Sequence, residues 1–171
     1  MTRKMLSIVL GGVVAGILGD AFSVAQFHSE SQFIGIIGCC MTPTAGGLVA
    51  IWHYTASSGL AIKAGEGAVI GVAACTLGYL VSILVAILVS TTGIAPGPFD
   101  LDAIVALMRQ KMETQGADAS QIDSAVDMTR RFFFVTPVVA LLGYSLFGAV
   151  VGAIGALIFD KGGDKGEAPD D

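Results

Sequence analysis

Residues 132–159 read FFFVTPVVALLGYSLFGAVVGAIGALIF, with no Asp, Glu, Lys or Arg in the run. As one helix it would measure ~42 Å, against ~30 Å for the hydrocarbon core of a bilayer. It predicts a transmembrane helix too long to cross straight, which needs tilt, a kink or an exposed first turn, and Pro137 is placed to supply that break. Two further uncharged stretches, residues 31–62 and 67–99, are each long enough to span. A fourth apolar run follows Arg3 and Lys4.

The chain therefore reads as an all-α integral membrane bundle of four transmembrane helices, over residues 6–27, 33–54, 67–91 and 132–159. Residues 1–160 form one domain, and the Gly-, Asp- and Lys-rich residues 161–171 are expected to be a disordered tail. Composition agrees: 54% of the 171 residues are hydrophobic and 13% charged, against about 25% charged in soluble domains, with a mean hydropathy of +0.78. This disfavours a water-soluble globule and argues against a nucleic-acid binder. The net charge of −5 comes from acid concentrated after Pro98 and in the tail, which argues against a polybasic, headgroup-binding terminus. The start also resembles a secretory signal, with Ser23-Val24-Ala25 as a small-x-small cleavage site. The length of its apolar run and its glycine spacing favour a retained span.

Residues 92–131 form the one sizeable extramembrane segment and are expected to be helical. Asp100 can cap a helix whose apolar positions Leu101, Ile104, Val105, Met108 and Met112 share a face. Gly116 breaks it, and Asp118 with Gln121 opens a second amphipathic stretch that feeds past Arg130 and Arg131 into the last span. Both helices are expected to ride on the membrane surface or fold over the mouth of the bundle.

Fifteen of the 23 glycines fall inside the spans. Lipid gives helices no hydrophobic reason to associate, so close backbone approach must supply the contact. Gly12 and Gly16 form GxxxG in the first span; Gly67, Gly71 and Gly78 make a stripe on the third, and Gly148 and Gly152 one on the fourth. These are the expected helix-packing residues, internal packing being favoured over a homo-oligomer or a membrane-protein partner.

Counting Lys and Arg sets the orientation. Arg3, Lys4, Lys63, Lys161 and Lys165 fall on one side, and Arg109, Lys111, Arg130 and Arg131 on the other, with none in the first loop. Both termini are expected in the cytoplasm. Trp52, His53 and Tyr54 would then end the second span at the cytoplasmic interface as an aromatic belt, with His53 an anchor.

Chemistry is sparse. Cys39, Cys40 and Cys75 lie in apolar runs with no second pair to complete a metal site, and read as small packing residues. No nucleophile and base sit at matched depth, so no enzyme activity, cofactor or metal is expected. Asp20 is the only charged residue inside a span and should turn inward or be neutralised. Arg130, Arg131, Ser23, Gln26 and Thr136 are its candidate partners, and Thr42 and Thr44 the other intramembrane polar groups. A structural or partner-binding membrane protein is the first reading. A small transporter or channel component using Asp20 to bind an ion or proton is the alternative.

The sequence Met108-Arg109-Gln110-Lys111-Met112-Glu113 with Gly116, then Gln121-Ile122-Asp123, then Thr136-Pro137 entering a glycine-rich helix closed by Ile158-Phe159-Asp160-Lys161, resembles a family of small bacterial membrane proteins defined as a domain of unknown function. The resemblance covers about the last third of the chain. It implies a four-span layout in a bacterial inner membrane and carries no catalytic residue.

Overall fold

The computed structural model describes residues 2–28, 32–59, 62–94 and 97–159. Among them the regular structure is helical throughout: α1 (Arg3–His28), α2 (Gln32–Ser58), α3 (Ala64–Ser90), α4 (Leu101–Thr114), α5 (Ala119–Phe132) and α6 (Thr136–Phe159). The helices α1, α2, α3 and α6 are long and apolar enough to cross a membrane, as in a multi-pass integral membrane protein. Most of the first expected loop, at residues 29–31, and the expected disordered tail lie outside the described residues.

Two expectations change. The last span is not one element from Phe132: α5 ends there, residues 133–135 turn, and α6 begins at Thr136. Pro137 acts by starting a helix rather than kinking one, because its missing N–H falls where a first turn needs none. Thr136 Oγ1 donates to the Phe132 carbonyl at 2.9 Å and holds the turn. The 24 residues of α6 then span ~36 Å, which halves the excess over the ~30 Å core and leaves a length that modest tilt absorbs. The second span also runs past Tyr54 to Ser58, so Trp52, His53 and Tyr54 stand inside α2 rather than at its end. Gly59, at φ 68°, supplies the left-handed turn that stops it.

The chain divides into two compact units, residues 1–82 with 143–171, and residues 83–142. In the first, the helices touch in the cyclic order α1, α2, α6, α3. A Cβ on Gly46 of α2 would lie 2.6 Å from Ala15 Cβ of α1, and one on Gly78 of α3 would lie 2.7 Å from the same atom. Ala15, 1% exposed, is thus wedged between both neighbours. A Cβ on Gly148 of α6 would lie 2.6 Å from the Gly71 carbonyl oxygen of α3, and one on Gly71 would strike the Gly148 carbonyl in turn. Gly67 and Gly152 meet in the same way. Gly47 of α2 receives Val151 of α6, while Gly12 and Gly16 of α1 receive Leu77 and Val81 of α3. The stripe on α3 therefore serves two partners, with Gly67 and Gly71 turned to α6 and Gly78 to α1. Gly11 belongs with them, its backbone against Gly46. Ala50, Ile51, Ile70, Ala74 and Ala156 fill the centre, all 0% exposed. The outer faces are apolar too, with Leu146 74% and Leu157 68% exposed, as lipid-facing surfaces require.

In the second unit α4 and α5 pair through Val105, Ile122 and Val126, with Leu101, Met108 and Met112 around them. The turn between them is a Schellman motif: Ala117 N–H donates to the Met112 carbonyl and Gly116 N–H to that of Glu113, both at 3.0 Å, with Gly116 at φ 76°. Asp100 accepts from Ala103 N–H and caps α4. Asp118 accepts from Gln121 N–H at 2.9 Å and from Ser120 Oγ at 2.7 Å, capping α5. The Ser120 hydroxyl and then the Gln121 amide hold the Asp118 carboxyl below the usual carboxylate range.

Gly71→Leu and Gly152→Leu should each lower stability in detergent by about 3 kcal/mol or more, because backbone must separate from backbone. Gly143→Leu should not, since nothing lies within 4 Å of a Cβ there. Thermal unfolding of the three variants checks this, and equal midpoints would remove the packing role. For Asp118 the sign follows from its depressed pKa. Its contribution is complete above the ordinary carboxylate range and is lost as pH falls through its lower folded value. Protection of the amides of residues 120–122, taken against the intrinsic exchange rate at each pH, should therefore persist at pH 5, fall only in stronger acid, and be low at pH 5 already in Asp118→Ala.

Candidate functional site

The intramembrane carboxylate lies in the first unit. Asp20 sits eight residues from the end of α1, Thr42 ten from the start of α2 and Ser82 eight from the end of α3. At 1.5 Å per residue all three stand ~12–15 Å from the same end of the bundle. Ser82 Oγ donates to Asp20 Oδ1 at 2.9 Å. Asp20 is 9% exposed and Thr42 2%. Asp20 Oδ2 and Thr42 Oγ1 are buried without a hydrogen-bond partner among the described residues. Gly19 lies against Thr42 Cγ2 and near both the Ser82 and Thr42 hydroxyl oxygens, its missing side chain leaving room between α1, α2 and α3.

Two features add polarity. Pro43, inside α2, has no N–H to give the Cys39 carbonyl one turn earlier, while Thr44 Oγ1 turns back to the Cys40 carbonyl at 2.7 Å. Cys75 Sγ of α3 meets the Pro43 carbonyl at 3.5 Å. Tyr144 of α6 packs against Tyr79 of α3, their ring centroids 5.7 Å apart. The site thus gathers a carboxylate and two hydroxyls. Such oxygen donors suit a proton or a small hard cation.

Of the partners expected for Asp20, none is the one found. Ser23 donates instead to the Gly19 carbonyl on its own helix, and Thr136 to Phe132. Arg130 faces Asp102 at 3.9 Å within the second unit, where Arg131 is exposed. The missed residue, Ser82, had a signal: it is the one hydroxyl between Tyr79 and Ser90 in an otherwise aliphatic run.

A second polar group occupies the other end of the first unit. Ser7, 0% exposed, has its hydroxyl 3.0 Å from the Arg3 carbonyl and 2.8 Å from His53 Nδ1. Both contacts are satisfied when Ser7 donates to the carbonyl and His53 donates from Nδ1 to Ser7. His53 is thus tied across to α1. Lys4 pairs with Glu66 at 2.9 Å, and Arg3 donates to the Ser57 carbonyl. Among the described residues no three His, Cys, Asp or Glu side chains gather as a metal site.

No protein-family model, curated protein or solved structure matches the chain.

Proposed function

We propose that this chain is a small transporter or channel component of a bacterial inner membrane, in which Asp20 takes up and releases a proton or a small cation. One observation carries the reading: Asp20 Oδ2 is buried without a hydrogen-bond partner among the described residues. A clamp between α1 and α3 needs only the Ser82 bond to Oδ1. A second buried oxygen with no partner among the described residues, beside a Thr42 hydroxyl in the same condition, costs stability unless a proton or cation binds there. That favours binding over the purely structural or partner-binding role. We read the chain as non-enzymatic and α1 as retained, since its Gly11, Ala15 and Gly16 are built into the bundle.

In proteoliposomes carrying internal pH- and sodium-sensitive dyes, wild-type protein should collapse an imposed proton or sodium gradient. Asp20→Asn should reduce the rate at least tenfold while keeping wild-type helicity and elution volume. Tight wild-type vesicles, or an Asp20→Asn rate equal to wild type, would overturn the reading.

The orientation proposed is that of the cation count, with both termini in the cytoplasm and α4 and α5 outside. Glu113 is exposed on α4. Glu113→Cys should therefore react with a membrane-impermeant maleimide in intact spheroplasts, and reaction only after lysis would reverse the orientation.

A further inference from the structure

Oxygen is the right donor for either ion at Asp20, but the number of oxygens favours one of them. The side chains that α2 and α3 bring to the carboxylate are hydroxyls. Ser82 Oγ donates to Oδ1 at 2.9 Å, and a Cβ on the neighbouring Gly19 would lie 3.8 Å from that hydroxyl oxygen and 3.9 Å from Thr42 Oγ1. With the two carboxylate oxygens they make four, where a small hard cation stripped of its water takes about six. The helix carbonyls of α1 and α3, which hold no proline, already accept from N–H groups one turn on. Even the Cys39 carbonyl, which Pro43 leaves without its helix partner, would bring the count only to five. The Ser82 hydrogen also lies between Oγ and Oδ1, where a cation bridging those two oxygens would have to stand.

A proton asks for less, one oxygen to bond it and one to accept its hydrogen bond. Asp20 Oδ2 and Thr42 Oγ1 fit those two parts, both buried with no hydrogen-bond partner among the described residues. Uptake forms an O–H bond at Oδ2 with a proton drawn from water, and that hydrogen is donated to Thr42 Oγ1. Release breaks the O–H bond and returns the proton to water, whereupon the Thr42 hydroxyl turns its own hydrogen to the carboxylate. A hydroxyl serves both states because it carries one hydrogen and two lone pairs. Ser82 keeps its bond to Oδ1 throughout.

We propose that the ion exchanged at Asp20 is a proton and not a metal cation, with Thr42 its second binding residue, accepting the hydrogen bond of the protonated carboxyl. This rests on the reading of Asp20 as an ion site and narrows it.

The test uses the full chain in proteoliposomes carrying pH- and sodium-sensitive dyes, with potassium and valinomycin holding the membrane potential at zero. A pH gradient in sodium-free buffer should collapse well above the leak of protein-free vesicles. A sodium gradient at equal pH on both sides should collapse at least tenfold more slowly. Thr42→Val, close in shape but without the oxygen, should cut proton flux at least fivefold, whereas Thr42→Ser, which keeps the oxygen, should run near the wild-type rate. Circular dichroism and elution volume show whether each variant folds; if Thr42→Val does not, the wild-type ratio of proton to sodium flux and the rate of Thr42→Ser decide. Sodium flux equal to proton flux, or proton flux that requires sodium, would overturn the proton assignment and leave Asp20 an ion site. Wild-type proton flux in folded Thr42→Val, or its loss in folded Thr42→Ser, would overturn the part given to Thr42. Vesicles through which neither ion moves, or protons moving at the wild-type rate in Asp20→Asn, would overturn the underlying reading and the proposal with it.

Discussion

Backbone meets backbone where α3 crosses α6, and the rest of the bundle depends on that contact. In hydrocarbon no water is released when helices join, so attraction comes from packing alone and falls quickly with distance. Gly71 against Gly148 and Gly67 against Gly152 bring the two helices together. Ala15 then fits between Gly46 and Gly78, and Val151 into Gly47, which closes the ring. Larger residues at these positions would push the helices apart and open the centre now filled by Ala50, Ile70, Ala74 and Ala156.

The same tight packing explains where polarity is found. Between the Ser7 and His53 pair at one end and Asp20, Thr42 and Ser82 at the other, α1 carries Gly11, Gly12, Ala15 and Gly16, each pressed against a neighbouring helix. From Ser7 to Asp20 is ~20 Å along the helix axis. Two polar groups are thus separated by a layer of small residues. On the proposed transport function, an ion at Asp20 would pass that layer only if helices moved, so the glycine contacts that stabilise the bundle would also set the barrier.

Much of this architecture was legible in the chain. Absence of charge located the spans, glycine spacing marked the faces that pack, and Asp100, Gly116 and Asp118 marked the ends of α4 and α5 because caps are local chemistry. What escaped was long-range. Ser82 lies 62 residues from Asp20, and nothing in the spacing of either pairs them. The break before α6 fell at residues 133–135 because Thr136 and Pro137 favour a helix start, while hydropathy runs unchanged through Phe132, Phe133 and Phe134. Trp52, His53 and Tyr54 lie four to six residues before the end of α2, and the tie from His53 to the buried Ser7 of α1 is another contact that spacing does not show.

The claim at the centre is that Asp20 is an exchangeable site rather than a fixed clamp. Infrared difference spectroscopy of the carboxyl stretch in bilayers tests it most directly, comparing wild type with Asp20→Asn while pH is stepped and sodium is added. A carboxyl band that changes with proton or sodium concentration, and is absent from Asp20→Asn, is the predicted result. A spectrum in which no band assignable to Asp20 responds to either ion would contradict it.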